Sequence, residues 1–153
     1  MSDRIEAKVS HEYSFPPERV YECWLRPEVI RQWMASALQT MKLPGEIGVI
    51  EVDARVGGKF CFSDKRPSGE AFHWGTYKVL DFPNRIAFTW NAGGERLTSD
   101  DQQSLVTIVL TPTPSGCQAT LTHSMDAQWR DYLERTENGW RNMLVHIAAL
   151  LSN

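Results

Sequence analysis

One run near the C-terminus constrains this chain more than any other. Trp129, Tyr132, Leu133, Thr136, Trp140, Met143, Leu144, Ile147 and Leu151 recur at i, i+3, i+4 and i+7, the spacing of one helix face. The spacing predicts a single amphipathic helix of about 24 residues, long for a globular protein. Asp126 stands where an N-cap belongs. Asp131/Arg135 and Glu137/Arg141 are acid-before-base pairs at i, i+4 on the outer face. Gly139 interrupts the helix beside the stripe, where glycine costs about 1 kcal/mol against alanine. Its expected return is close approach of sheet or ligand to the helix backbone. A helix with one apolar stripe needs a second surface to bury it.

The rest of the chain supplies strands for that surface. Ile5, Ala7, Val9, His11, Tyr13 and Phe15 alternate with polar residues, the period of a half-buried strand. Pro16-Pro17 stops it, and Pro17 opens a short helix read as Glu18–Leu25, with Val20, Tyr21 and Trp24 on one side. Pro27 starts a second, through Met34, followed by an irregular stretch over 35–46. From 47 to 124 the pattern is strands between turn signals. They read as Ile47–Asp53, Lys59–Ser63, Ala71–Leu80, Ile86–Trp90, Leu105–Thr111 and Cys117–Ser124, with 64–69 as a turn and 91–103 as a polar loop. Short turns between neighbours imply antiparallel hairpins. The expected class is α+β: a sheet of about seven antiparallel strands, two short helices after the first, and one long C-terminal helix. One helix cannot cover so wide a flat sheet, so the sheet must curl around it. The groove left at its ends is a natural ligand pocket.

Bulk properties narrow the function. The 153 residues fit a single domain over 1–153 with a full core. A net charge of -3 argues against a nucleic-acid partner, which needs a basic patch. No apolar run is long enough for membrane insertion, and the N-terminus lacks the apolar core of a secretory signal. Cys23, Cys61 and Cys117 show no C-x-x-C spacing, which suits reduced thiols and a cytoplasmic location. No phosphate loop, H-E-x-x-H or G-x-S-x-G is present; Gly57-Gly58-Lys59 precedes a strand and reads as a bulge or strand entry. The four histidines lack metal-ligand spacing, so neither a metal nor a cofactor is expected.

Two sets of inward-facing residues carry the site reading. His11, Tyr13, His73, Tyr77 and His123 share faces with apolar neighbours. Each reads either as a hydrogen-bonded core group or as a polar group that orients a ligand or moves a proton. Glu51 and Asp53 are candidate carboxylate partners. Phe60, Phe62, Tyr77, Phe88, Trp90, Trp129, Tyr132, Trp140 and Met143 form either a solid core or the wall of a cavity for a flat or chain-like apolar molecule.

The order of elements, with these residues, resembles the SRPBCC (START-like, helix-grip) superfamily. Within it the chain looks like the activator of heat-shock-protein-90 ATPase homologue-like family. The matching segments are residues 15–24 (Phe-Pro-Pro-Glu-Arg-Val-Tyr-Glu-Cys-Trp), 27–33, 56–60, 75–79, 83–90 (Pro-Asn-Arg-Ile-Ala-Phe-Thr-Trp), 120–123 and Gly139-Trp140. They fall in the family's order and cover nearly the whole chain. After His123 the family often has glycine and an apolar residue, where this chain has Ser124-Met125. The resemblance implies the helix-grip fold and a cavity for a small hydrophobic molecule between sheet and C-terminal helix. It leaves two alternatives: a cavity enzyme (cyclase, dehydratase or hydrolase) on a polyketide-like or aromatic substrate, or a chaperone- or stress-related interaction module. A chaperone partner follows from the resemblance only. An edge strand or the Trp24/Trp33 region offers a homodimer surface.

Overall fold

A computed structural model of the chain describes residues 3–97 and 99–152. The chain runs β1 (Arg4–Tyr13), α1 (Pro17–Cys23), α2 (Pro27–Thr40), β2 (Glu46–Val52), β3 (Lys59–Arg66), β4 (Gly69–Asp81), β5 (Arg85–Thr89), β6 (Asn91–Gly93), β7 (Leu105–Thr113) and β8 (Gly116–Asp126). A 3-10 segment (Ala127–Tyr132) then leads into α3 (Leu133–Leu151). The strands form one antiparallel sheet in the order β1-β8-β7-β5-β4-β3-β2, with β6 on β4. This is the expected helix-grip arrangement: a curved sheet, two early helices and a long helix at the end.

Several elements depart from expectation. Helix α2 continues to Thr40 because Ala37 and Leu38 extend the face begun by Ile30, Trp33 and Met34, and all five are buried. The segment 64–69 is not a broad turn. β3 and β4 pair as far as Arg66↔Gly69, and Asp64 and Arg66 occupy the inward positions as an ion pair. The predicted C-terminal helix starts as a 3-10 turn with Trp129 at φ -92, ψ 15. Asp126 does cap it, accepting from the Gln128 N–H at 2.9 Å.

The sheet bends hard in the middle. At Gly75 an added Cβ would lie 1.9 Å from the Thr89 carbonyl oxygen, so only glycine lets β4 and β5 approach there. A register shift between Tyr77 and Val79 strengthens the bend. Beyond it, β6 parts company with β7. β7 pairs β5 up to Thr89↔Leu105, whereas β6 pairs β4 at Phe72, His73 and Trp74. The sheet is therefore split between β6 and β7, and the 94–104 connection crosses the split.

Two helices share the concave side, α3 lying along β1 and α2 between α3 and β2. Large rings span the interval from α3 to the middle strands. Trp140 meets Trp90 edge-on at 5.0 Å. Trp90 lies against Phe60 at 5.9 Å, and Phe60 meets Phe62, Tyr77 and Phe88 at 4.9, 5.4 and 5.3 Å. Trp24 and Trp33 are part of this core.

Candidate functional site

The split in the sheet opens into a cleft of about 770 Å³. Its walls are Trp90, Asn91 and Ala92 at the β5–β6 junction, Ser104 just before β7, His123 and Met125 from β8, and Gln128, Trp129, Tyr132 and Thr136 below. Leu97, Ser99, Asp100, Asp101 and Gln103, with Trp74, close the outer side. A second lobe of about 210 Å³ lies on the far side of Trp90 and His123. It is lined by Met34 and Leu38 of α2 and Met41 just past its end, Gly139, Trp140 and Met143 of α3, and Asp64, Arg66 and His73 of β3 and β4. Trp90, His123 and Thr136 border both. They form the wall, or waist, that the two pockets share.

His123 at the waist has a defined protonation pattern. The indole N–H of Trp140 donates to its Nδ1 at 2.9 Å. An indole nitrogen can only donate, so Nδ1 is the unprotonated nitrogen. The ring proton sits on Nε2 and is donated to the Ser104 hydroxyl oxygen. Burial, aided by the charge of Arg4, lowers the His123 pKa to about 4. The residue is thus a neutral, oriented donor. It cannot take the Ser104 proton, because the nitrogen that faces Ser104 already carries one. A serine nucleophile activated by His123 is therefore not assembled here.

His73 lies flat on Trp90, with ring centroids 4.8 Å apart and planes at 20°. Burial lowers its pKa to about 4 against the opposing charge of Asp64, and Arg66 acts in the same direction as burial. Its carboxylate neighbour is Asp64, not Glu51 or Asp53. Glu51 is exposed and pairs with Arg96, and Asp53 is exposed and pairs with Arg55 at 2.8 Å. Asp64 itself is held at both oxygens by Arg66, at 2.7 and 3.2 Å.

The other predicted site residues divide clearly. Trp90, His123, Trp129, Tyr132, His73, Trp140 and Met143 line the cleft or its second lobe. Tyr13, Phe62, Tyr77 and Phe88 do not; they are packed core. Tyr13 donates to the Leu144 carbonyl at 2.8 Å and ties β1 to α3. Burial raises the Tyr13 and Tyr77 hydroxyl pKa values well beyond the usual tyrosine range. Phe60 is core too, touching only a small crevice of about 140 Å³ beside Cys61 and Trp74. His11 meets Tyr13 edge-on at 4.7 Å, away from the cleft. Gly139 receives no close approach from the sheet: nothing lies within 4 Å of an added Cβ.

Sequence reasoning missed the residues that hold the cleft open. Asp100 accepts from the Thr76, Thr89 and Asn91 side chains and from the Gln102 N–H. Trp74 Nε1 donates to the Ser99 carbonyl at 2.7 Å. Together they pin Ser99 and Asp100 over the split. Burial alone would raise the Asp100 pKa, but those four donors lower it overall. The available signal was the pair Thr76 and Thr89 on the outer face of two β-rich segments, which had no evident partner. Among the described residues no three or more His, Cys, Asp or Glu gather in a metal-holding group. No helix among them is long and apolar enough to cross a membrane.

A family model described as Activator of Hsp90 ATPase homolog 1-like protein matches residues 14–152. No curated protein matches the chain. Among solved structures, a Chromobacterium violaceum protein superposes with a TM-score of 0.76 at 25% identity, covering 97% of this chain and 98% of that one. The AHSA1-like protein from Aeromonas hydrophila gives 0.73 at 20% identity, over 97% and 92%. A Staphylococcus aureus protein, described as of unknown function, gives 0.75 at 18% identity, over 99% and 98%.

Proposed function

This chain belongs to the Activator of Hsp90 ATPase homolog 1-like protein family, and from that premise we propose that it binds a small hydrophobic molecule in the cleft between the split sheet and the start of α3. One observation carries the reading. A cleft of about 770 Å³ lies in the size range of small-molecule sites, about 300–1,000 Å³, and its wall combines Trp74, Trp90, Trp129 and Tyr132 with a few fixed polar groups. Trp129 and Tyr132 are 49% and 47% exposed although rings of that size are ordinarily covered. A ligand in the cleft covers them. His123, neutral and aimed, serves to orient a ligand oxygen or hydroxyl in place of Ser104. An enzymatic role finds less support, because the waist histidine is locked in the wrong tautomer for a base toward Ser104. Three free, buried thiols fit the reducing interior where such a binder would work.

The test is thermal unfolding with a panel of aromatic and alkyl compounds, alongside Thr136→Phe, whose ring grows into the cleft. A ligand at 100 times its dissociation constant stabilises the wild type by about 2.7 kcal/mol. The variant should show a clearly smaller shift. Failure of every apolar class to bind, or equal binding by the variant, would overturn the proposal.

A further inference from the structure

The second lobe has features the first does not need. Arg66 is the one Lys or Arg that borders either lobe among the described residues. Two of its five N–H groups go to Asp64, which leaves three without a partner among the described residues. His73 beside it makes no hydrogen bond to the described residues; its ring rests on Trp90. Around this donor corner the wall is apolar and pliable: Met34, Leu38, Met41 and Met143. Methionines adapt to varied shapes. Gly139 opens the lobe outward. It stands mid-helix where alanine would be more stable, yet no protein atom occupies the space before it. Past Gly139 and Met41 the lobe reaches a surface groove lined by Glu134, Arg135 and Asn138.

Resting on the binding function proposed above, we infer that the second lobe is a subsite for the same ligand. It takes an oxygen-bearing head, a carboxylate or carbonyl, on Arg66 and His73, while the ligand's apolar body passes the waist of Trp90, His123 and Thr136 into the larger cleft. The ligand is therefore elongated and polar at one end. Asp64 already neutralises Arg66, so what the corner offers is a set of fixed donors. The neutral His73 ring adds one N–H. Gly139 determines how deep the head can sit, because any larger side chain there grows into the lobe.

Isothermal calorimetry on the full chain tests this with four probes: a long ω-phenylalkanoic acid, its methyl ester, the matching phenylalkane, and indole, which needs only the larger cleft. The acid, the ester or both should bind the wild type roughly tenfold or more tightly than the hydrocarbon. An advantage confined to the acid marks an anionic head, and equal affinity of acid and ester marks a carbonyl. Gly139→Leu should erase the advantage and leave indole unchanged. Gly139→Ala should melt at higher temperature and still bind the acid, which a purely structural glycine would not predict. If acid and ester show no advantage over the hydrocarbon, or Gly139→Leu binds every probe as the wild type does, the subsite is overturned while indole binding upholds the cleft. If indole also fails to bind, the binding function falls with it.

Discussion

His73 and His123 are kept neutral by burial, and that has a price in acid. Each has a pKa near 4 when folded against 6.5 when free. Between those values the unfolded chain binds more protons than the folded one, so protons pull the equilibrium toward unfolding. Stability should be full above about pH 6.5 and fall as pH drops toward 4, with a loss on the order of 3 kcal/mol for each imidazole. Urea midpoints measured across this range should shift downward, and His73→Gln should flatten part of the slope. A midpoint independent of pH down to about 4 would mean that neither ring is desolvated. At this scale the sequence marked His73 and His123, which border the cleft, together with His11, which does not, and it named the wrong carboxylates. His73 and His123 alternate with apolar neighbours, which is legible. Their partners are not: Asp64 looked like a turn residue, and the Trp140 to His123 bond joins residues from different elements. Likewise nothing local separates Trp90, at the sheet split, from Phe88, two residues away and packed in the core.

Elements whose pattern is internally repetitive were legible, and those defined by a distant partner were not. The stripe of α3 and the alternation of β1, β5, β7 and β8 carry their own period. Strand β6 has only Asn91, Ala92 and Gly93, and it exists because β4 offers it three pairing positions. The 94–104 connection is likewise ordered from outside, by Asp100 and Trp74. Asp100→Ala should therefore loosen this one segment: amide exchange should rise across 94–104 and β6 while β7, β8 and α3 stay protected. Because Asp100 titrates below its usual value of 3.8, its stabilisation is present above that pH and is lost as pH falls through the lower folded value. That window lies beneath the histidines' window, so the two effects separate in one titration. Protection spreading unchanged through the variant's loop would show that the four hydrogen bonds do not hold it.

Across the whole molecule, indoles connect what the backbone leaves apart. Trp24 after α1 meets Trp33 of α2 at 5.2 Å and Trp140 of α3 at 6.3 Å. Trp140 continues to Trp90 at the sheet's split. Trp33 anchors α2 to the end of α1 through its N–H and the Cys23 carbonyl, 2.8 Å apart. Two halves of a divided sheet would be free to melt separately if each had its own core. Here both halves pack on one aromatic chain, and removing either exposes the rings that support the other. The chain should therefore unfold as one unit. Far-ultraviolet circular dichroism, which reports strands and helices, and near-ultraviolet signal, which reports the indoles, should trace coincident urea transitions. A near-ultraviolet transition at lower urea than the far-ultraviolet one would place the sheet's stability outside the indole cluster. The cleft itself would then be an opening between two separately stable parts, and its volume would no longer be set by the fold.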